Sequence, residues 1–207
     1  MSRISPLPVI IIVIILVFSS GCVHTYTRTD LFAAKLYGDG SLSWVQRIDS
    51  GQNDVGTGLN ETSDGSYLLT GGFYTSICGT NFASPITPYE IRLSSEGNTD
   101  SIVKNSGTYN ANTPRSGSLN TNGGVSFTTD DGGQLSTYQT VKGGADYYKI
   151  QRTDAGGKKL WDKPFLTLRH HSISFTDDSE AIVVQGIVPT SDNGYIVWGY
   201  WEKTGLC

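Results

Sequence analysis

Residues 62–72 read TSDGSYLLTGG, and residues 190–200 read TSDNGYIVWGY. The two stretches agree at five positions with a constant offset of 128 residues: Thr62/Thr190, Ser63/Ser191, Asp64/Asp192, Tyr67/Tyr195 and Gly71/Gly199. Each has Asp-Gly or Asp-Asn-Gly after an initial Thr-Ser, which favours the positive φ of a hairpin turn, and continues as an alternating apolar run typical of a strand. The repetition therefore predicts recurring β-hairpins.

A second motif recurs upstream of the first. Residues 32–44 read FAAKLYGDGSLSW and residues 148–161 read YKIQRTDAGGKKLW, with a fainter copy, YEIRLSSEGNTDS, at 89–101. The turn-strand motif likewise has a middle copy, TTDDGGQLSTY, at 128–138. Repetition at this period indicates stacked or radial modules of about four strands. Three units are predicted, at about 30–74, 87–139 and 146–201.

The middle unit departs from the other two at two positions. It has Ser101 where they have Trp44 and Trp161, and Gln134 where they have tyrosine. We expect the two tryptophans to be equivalent positions, each buried between its own sheet and a neighbouring module. The middle unit is accordingly expected to be the least ordered.

The composition favours an all-β fold and argues against nucleic acid as a partner. Charged residues make up only 16% of the chain, whereas 25 glycines are present. This suits short strands joined by tight turns rather than a helical bundle. The net charge is −4, and Lys158-Lys159 is the only pair of adjacent lysine or arginine residues. The sequence therefore has no cluster of basic residues of the kind that binds phosphates.

The first residues, MSRISPLPVIIIVIILVFSSGC, have the pattern of a secretory signal. Arg3 precedes the apolar run Val9–Phe18, and small residues lead to Cys22. A retained helix over Ile4–Val23 is the alternative, because no charge occurs from Ile4 to Thr27. Either segment places the rest of the chain outside the cytoplasm.

Ser19-Ser20-Gly21-Cys22 resembles the lipobox of bacterial and archaeal lipoproteins, although Ser19 stands where leucine is usual. The resemblance implies a signal peptide at 1–21, lipidation of Cys22, a tether at 22–29 and a membrane-anchored protein at the cell surface.

The two repeat motifs resemble those of secreted β-propellers on bacterial and archaeal surface proteins, where TSDGGYIVAG alternates with VKLDSNGNVLW. The resemblance implies three blade-like antiparallel sheets in a partial or incomplete propeller over 30–201, followed by a C-terminal end at 202–207. Propellers typically have 4–8 blades. The alternatives are therefore a piece of a longer propeller, association with further blades of another subunit, or an open stack. We expect an incomplete ring.

The candidate contact and modification residues are few. Aromatic side chains near the last repeated strand form a possible contact surface or belong to the core: Tyr195, Trp198, Tyr200 and Trp201. Asn60-Glu61-Thr62 is a possible glycosylation sequon. Cys78 and Cys207 either form a disulfide or remain two unpaired thiols, since sequence does not show their separation.

No catalytic, metal or cofactor site is predicted. His170 and His171 are adjacent, so within a strand they would point to opposite faces, and His24 lies far away in the sequence. The acidic pairs Asp130-Asp131 and Asp177-Asp178 do not fit a calcium-loop pattern. We expect a non-catalytic extracytoplasmic lipoprotein, a scaffold or binding module for protein or glycan contact. The alternative is an extracellular propeller enzyme, quinone-dependent or glycan-active.

Overall fold

The computed structural model describes residues 25–75, 86–104, 118–119, 124–169 and 179–206, and these residues form strands and turns without a helix. The strands, in chain order, are β1 (Thr25–Leu36), β2 (Leu42–Ile48), β3 (Asn53–Glu61), β4 (Tyr67–Tyr74), β5 (Thr87–Leu93), β6 (Thr99–Lys104), β7 (Ser118–Leu119), β8 (Val125–Thr128), β9 (Gln134–Lys142), β10 (Ala145–Thr153), β11 (Lys159–Arg169), β12 (Ser179–Pro189) and β13 (Tyr195–Leu206).

These strands form three antiparallel sheets, and none of the three closes on itself. The central sheet has the order β12-β13-β1-β2, the β3–β6 sheet follows chain order, and the β7–β11 sheet has the order β11-β10-β9-β8-β7. The prediction of an all-β protein with three blade-like antiparallel sheets in a partial propeller-like array is confirmed.

The central sheet joins the two ends of the described chain. β1 pairs with β13 in an unbroken antiparallel register that runs from Thr25↔Leu206 to Leu36↔Tyr195. The sheets are therefore offset by half a repeat from the sequence units. For example, the unit over 30–74 supplies β1 and β2 to the central sheet and β3 and β4 to its neighbour.

The central sheet is covered on both faces, because successive side chains of a strand point to opposite sides. Phe32, Ala34 and Val197 pack with residues of the β7–β11 sheet in one apolar core. Leu31, Ala33 and Trp198 pack with residues of the β3–β6 sheet in a second core. The central sheet thus lies between the other two.

Six hairpin turns share one backbone geometry. In each, the first N–H donates to the fifth carbonyl and the fourth N–H donates to the first carbonyl. The fourth residue has positive φ in all six, and these residues are Gly40, Gly65, Gly97, Gly132, Gly157 and Asn193. Asn193, with φ of 63°, takes the place that glycine has in the other turns, as asparagine tolerates this region.

The repeated glycines Gly71 and Gly199 lie opposite β-bulges in the adjacent strands. A Cβ at Gly71 would lie 2.3 Å from the Val55 carbonyl oxygen, and one at Gly199 would lie 2.0 Å from that of Val183. This close approach lies within a single sheet, where the bulge brings a neighbouring carbonyl inward.

Candidate binding groove between two sheets

The two interfaces between sheets share two equivalent contacts, of which the first is a tryptophan over a turn glycine. Trp161 of β11 lies over Gly40 in a turn of the central sheet, and Trp44 of β2 lies over Gly97 in a turn of the β3–β6 sheet. The Trp44 indole Nε1 also donates to the Ser95 carbonyl at 2.9 Å. The predicted equivalence of the two tryptophans is confirmed, although both are half-buried rather than fully buried.

The second repeated contact is formed by a cation two residues before one turn of each sheet. We call these turns, 37–41, 94–98 and 154–158, the outer turns, and the turns 190–194, 62–66 and 129–133 of the same three sheets the inner turns. Lys35, Arg92 and Arg152 are the cations, and each pairs with the third residue of the inner turn in its own sheet. The partners are Asp192, Asp64 and Asp131 respectively.

At each interface the cation at this position also contacts a tyrosine of the neighbouring sheet. The Lys35 ammonium lies 5.9 Å from the centre of the Tyr67 ring, and Arg152 donates to the Tyr195 hydroxyl at 2.7 Å. Each interface therefore combines a tryptophan on a turn glycine with a cation on a tyrosine.

A groove of about 450 Å³ opens between the β7–β11 sheet and the central sheet, where the turns 129–133 and 190–194 lie side by side. Its lining mixes apolar and polar groups: Gly38, Phe127, Thr129, Asp130, Asp131, Arg152, Pro189, Thr190, Asn193, Gly194 and Tyr195.

The equivalent turns at the other interface, between the β3–β6 sheet and the central sheet, are bridged by one side chain. Glu61, the residue before the inner turn of the β3–β6 sheet, accepts hydrogen bonds from the Ser191 N–H at 2.7 Å and the Ser191 hydroxyl at 2.9 Å. The residue in the corresponding position of the central sheet is Pro189, which faces Asp130 across the groove without a polar side chain. Proline therefore leaves the groove unbridged.

The groove carries a net negative charge at neutral pH, since Asp130 and Asp131 outnumber Arg152. Hydrogen bonds from the Thr129 hydroxyl and the Gly133 N–H, with the nearby Arg152 guanidinium, hold the pKa of Asp131 below its usual range. The Arg152 Nε is buried and has no hydrogen-bond partner among the described residues. The groove thus offers carboxylate acceptors, a guanidinium donor and the half-buried ring of Phe127.

Two other features of the described residues are less suited to binding. A smaller cavity of about 230 Å³ between the same two sheets is lined largely by apolar side chains, including Tyr148, Phe165 and Ile182. Three carboxylates, Asp30, Asp49 and Asp54, offer oxygens within 4.8 Å of one another.

The protein itself already supplies counter-charges to this acidic cluster. Arg28 pairs with Asp30 and Asp49, and Arg47 pairs with Asp30. Burial raises the pKa of Asp54, which accepts hydrogen bonds from Ser50 and Tyr89.

The four aromatic residues singled out from the sequence lie in or beside the cores. Tyr195 is 6% exposed and Trp198 is 1% exposed, because the central sheet is covered on both faces, so neither provides an exposed contact surface. Tyr200 and Trp201 are half-buried, and the Arg47 guanidinium lies 4.8 Å from the Trp201 ring. Only Tyr195 joins the groove.

Most of the other singled-out residues lie outside the described part of the chain. Asn60 is described and is exposed near the end of β3. The residues that fall outside are Cys22, His24, Cys78, His170, His171, Asp177, Asp178 and Cys207.

Sequence reasoning missed Phe127, Arg152 and Pro189 as groove residues. The recurrence of a cation at Lys35, Arg92 and Arg152 is visible in the aligned repeats and is the signal that could have found one of them. Among the described residues, no helix is long and apolar enough to cross a membrane. Comparison with known protein families and with curated protein sequences gave no match to this chain.

Proposed function

We propose that this protein is a non-catalytic, extracytoplasmic binding module that a lipid on Cys22 anchors to the membrane. The early Arg3, the apolar run Val9–Phe18 and the residues Ser19–Cys22 support the anchor. The likeness of the repeats to those of surface propellers supports a location outside the cytoplasm. A two-chain lipid at Cys22 would hold the module stably at the surface.

The groove between the β7–β11 sheet and the central sheet is the observation that carries a binding role. Its volume of about 450 Å³ lies within the range of roughly 300–1,000 Å³ that is usual for small-ligand pockets. Its walls are strand ends and hydrogen-bonded turns, so the polar groups are held in place before a ligand arrives.

The chemistry of the lining selects a hydroxyl-rich, uncharged ligand, namely the end of a glycan. Asp130 and Asp131 accept hydrogen bonds from hydroxyl groups, and Arg152 donates them. The ring of Phe127 offers an apolar face to the C–H side of a sugar. The net negative charge disfavours anionic ligands such as phosphates or uronic acids.

Glycan binding is tested with the full-length protein in detergent, first on an array of neutral and acidic oligosaccharides and then by calorimetry. We expect neutral glycans to bind and Arg152→Gln to weaken that binding at least about tenfold. Arg92→Gln is the control, because Arg92 occupies the equivalent position in the β3–β6 sheet, where it forms the same ion pair and is not among the residues that line this groove.

Two outcomes would contradict the glycan proposal. One is the absence of binding across the array by the folded wild-type protein. The other is equal loss of affinity in Arg152→Gln and Arg92→Gln, which would indicate a general effect on stability. Asp130→Asn, at an exposed turn residue, gives a second variant that should weaken binding without disturbing the sheets.

The anchor is tested separately by Cys22→Ser. We expect this variant either to leave the membrane fraction or to remain as an unprocessed precursor of greater mass, because the lipid is attached at this cysteine. Migration and fractionation identical to wild type would rule out lipidation.

A further inference from the structure

Each sheet has two distinct faces, which are named here by their aromatic residues. The Trp face carries the tryptophan and the cation that contact the neighbouring sheet. The Tyr face carries the tyrosine that the cation of the neighbouring sheet contacts. In the central sheet, Trp44 and Lys35 face the β3–β6 sheet, and Tyr195 faces the β7–β11 sheet. Two faces of the array are left without a neighbouring sheet among the described residues: the Tyr face of the β7–β11 sheet and the Trp face of the β3–β6 sheet.

The uncovered Tyr face has polar residues at four of five equivalent positions of the strand register, and a tyrosine in place of glycine at the fifth. In the central sheet these positions are Tyr195, Val197, Gly199, Ala34 and Phe32. In the β3–β6 sheet they are Tyr67, Leu69, Gly71, Ile91 and Tyr89. In the β7–β11 sheet they are Gln134, Ser136, Tyr138, Gln151 and Lys149.

The polar groups on this face satisfy one another. The Lys149 ammonium lies 2.8 Å from an Asp162 carboxylate oxygen, and the Tyr138 hydroxyl donates to the other Asp162 oxygen at 2.7 Å. A sheet docked here would bury this ion pair at an energetic cost. It would also meet the ring of Tyr138 where the other two sheets have glycine.

The uncovered Trp face likewise has polar residues where the covered Trp faces have apolar or aromatic ones. Ser101 replaces the tryptophan, and exposed Glu90 stands where the covered faces have fully buried Ala33 and Ile150. Arg92 is 45% exposed on its side chain, whereas its counterpart Lys35 is 4% exposed beneath the next sheet.

In the β7–β11 sheet, the turn 154–158 is the counterpart of the two turns that lie under tryptophans, and among the described residues no tryptophan lies over it. A Cβ placed on Gly157 would meet nothing within 4 Å, although the equivalent glycines, Gly40 and Gly97, lie under tryptophans. The two departures of the middle sequence unit, Ser101 and Gln134, therefore belong to opposite ends of the array rather than to one weak module.

We propose that these two faces are end caps, which keep the array from packing head to tail against a second copy of this chain. A Trp face and a Tyr face are complementary but different surfaces, so contact between copies would be heterologous and would generate rings or filaments. Repeat proteins require polar outer faces on their terminal repeats for the same reason. If the lipid anchor proposed above gathers copies on one membrane surface, such caps keep each module separate and its groove accessible.

The test restores one face in each of two variants of the full-length protein. The first carries Glu90→Ala and Ser101→Trp, which rebuild the Trp face. The second carries Gln134→Tyr, Tyr138→Gly and Lys149→Phe, which rebuild the Tyr face. Sedimentation velocity in a density-matched detergent, with one chain fluorescently labelled, measures association.

We expect wild type and each variant alone to sediment as monomers, because each has at least one capped face. An equimolar mixture of the two variants should contain a 1:1 dimer, at least about tenfold more abundant than in either variant alone. Circular dichroism establishes that both variants remain folded. A mixture of folded variants that stays monomeric would overturn the proposal.

Wild type provides an independent measurement should a variant fail to fold. It should remain monomeric at all accessible concentrations, and Glu90→Lys, at an exposed position, should leave its sedimentation unchanged. A wild-type dimer or ring that Glu90→Lys dissociates would show that the faces are interfaces and not caps.

Discussion

An ion pair between a lysine or arginine and an aspartate occurs at the same position in all three sheets, and its burial differs from sheet to sheet. The side chain of the cation is 4% exposed for Lys35, 18% for Arg152 and 45% for Arg92. The pairs share a position and a partner type, so differences between them report the effect of the covering sheet. Exposed ion pairs contribute little, whereas a buried charge without its partner is costly.

Asp192→Asn should therefore destabilise the protein more than Asp64→Asn does. We expect loss of the Asp192 carboxylate to lower the free energy of unfolding by about 2 kcal/mol, because the Lys35 ammonium is left buried with its charge uncompensated. Asp64→Asn should cost less than about 1 kcal/mol, since Arg92 remains in contact with water. Chemical denaturation of the two variants measures the difference, and equal losses would contradict it.

The pH dependence of the same variant gives a second readout. Hydrogen bonds from Lys35 and Thr190 lower the pKa of Asp192 to about 2 in the folded protein, from about 3.9 in an unfolded chain. A lowered pKa stabilises the fold above the unfolded value, and this contribution disappears as the pH falls towards 2. The stability difference between wild type and Asp192→Asn should accordingly be largest above about pH 5 and shrink in acid.

At the scale of single elements, the turns are the parts that hold neighbouring sheets together. Gly40 and Gly157 are the fourth residues of equivalent turns and have nearly the same φ, 79° and 81°. Their surroundings differ. A Cβ on Gly40 would lie 2.6 Å from the Trp161 ring, whereas one on Gly157 would meet nothing within 4 Å. This makes them a matched pair for separating backbone strain from packing.

Gly157→Ala should cost about 1–2 kcal/mol, the strain of a left-handed non-glycine residue. Gly40→Ala should cost roughly 1–3 kcal/mol more, since the methyl group displaces Trp161 from the interface. Thermal and denaturant unfolding of both variants, together with tryptophan fluorescence, measures this. Equal destabilisation with unchanged fluorescence would mean that the Trp161 contact does not hold the sheets together.

The elements themselves were predictable from sequence because hairpin signals are local. Asp-Gly turns, alternating strands and the equivalence of Trp44 and Trp161 all follow from short stretches. The assignment of strands to sheets was not predictable in the same way, because β1 pairs with β13 from the far end of the chain. A repeat read along the sequence does not show where one sheet ends and the next begins.

The groove was harder to predict from the sequence than the fold. It depends on Phe127 and Arg152 from one sheet, Pro189 from another, and on the bridge that Glu61 forms at the other interface. Each of these residues is unremarkable in its own motif. Their role in the groove becomes visible only when equivalent positions of the two interfaces are compared through the strand register.

At the scale of the whole molecule, the position of each sheet in the array sets its stability. The central sheet buries both faces, whereas each outer sheet has one face that no other described sheet covers. Opening the central sheet requires separation from both neighbours. Local opening of this kind approaches global unfolding in free energy, while an outer sheet can open alone.

Amide hydrogen exchange should therefore follow the sheets and not the sequence units. We expect β1 to exchange more slowly than β4, although both belong to the unit over 30–74 and both are internal strands of their sheets. β13 should share the slow class, because it pairs with β1 along its full length. Mass spectrometry of peptides covering these strands measures the rates segment by segment. If β4 exchanged as slowly as β1, the protein would unfold by sequence unit, and coverage of both faces would not be what protects the central sheet.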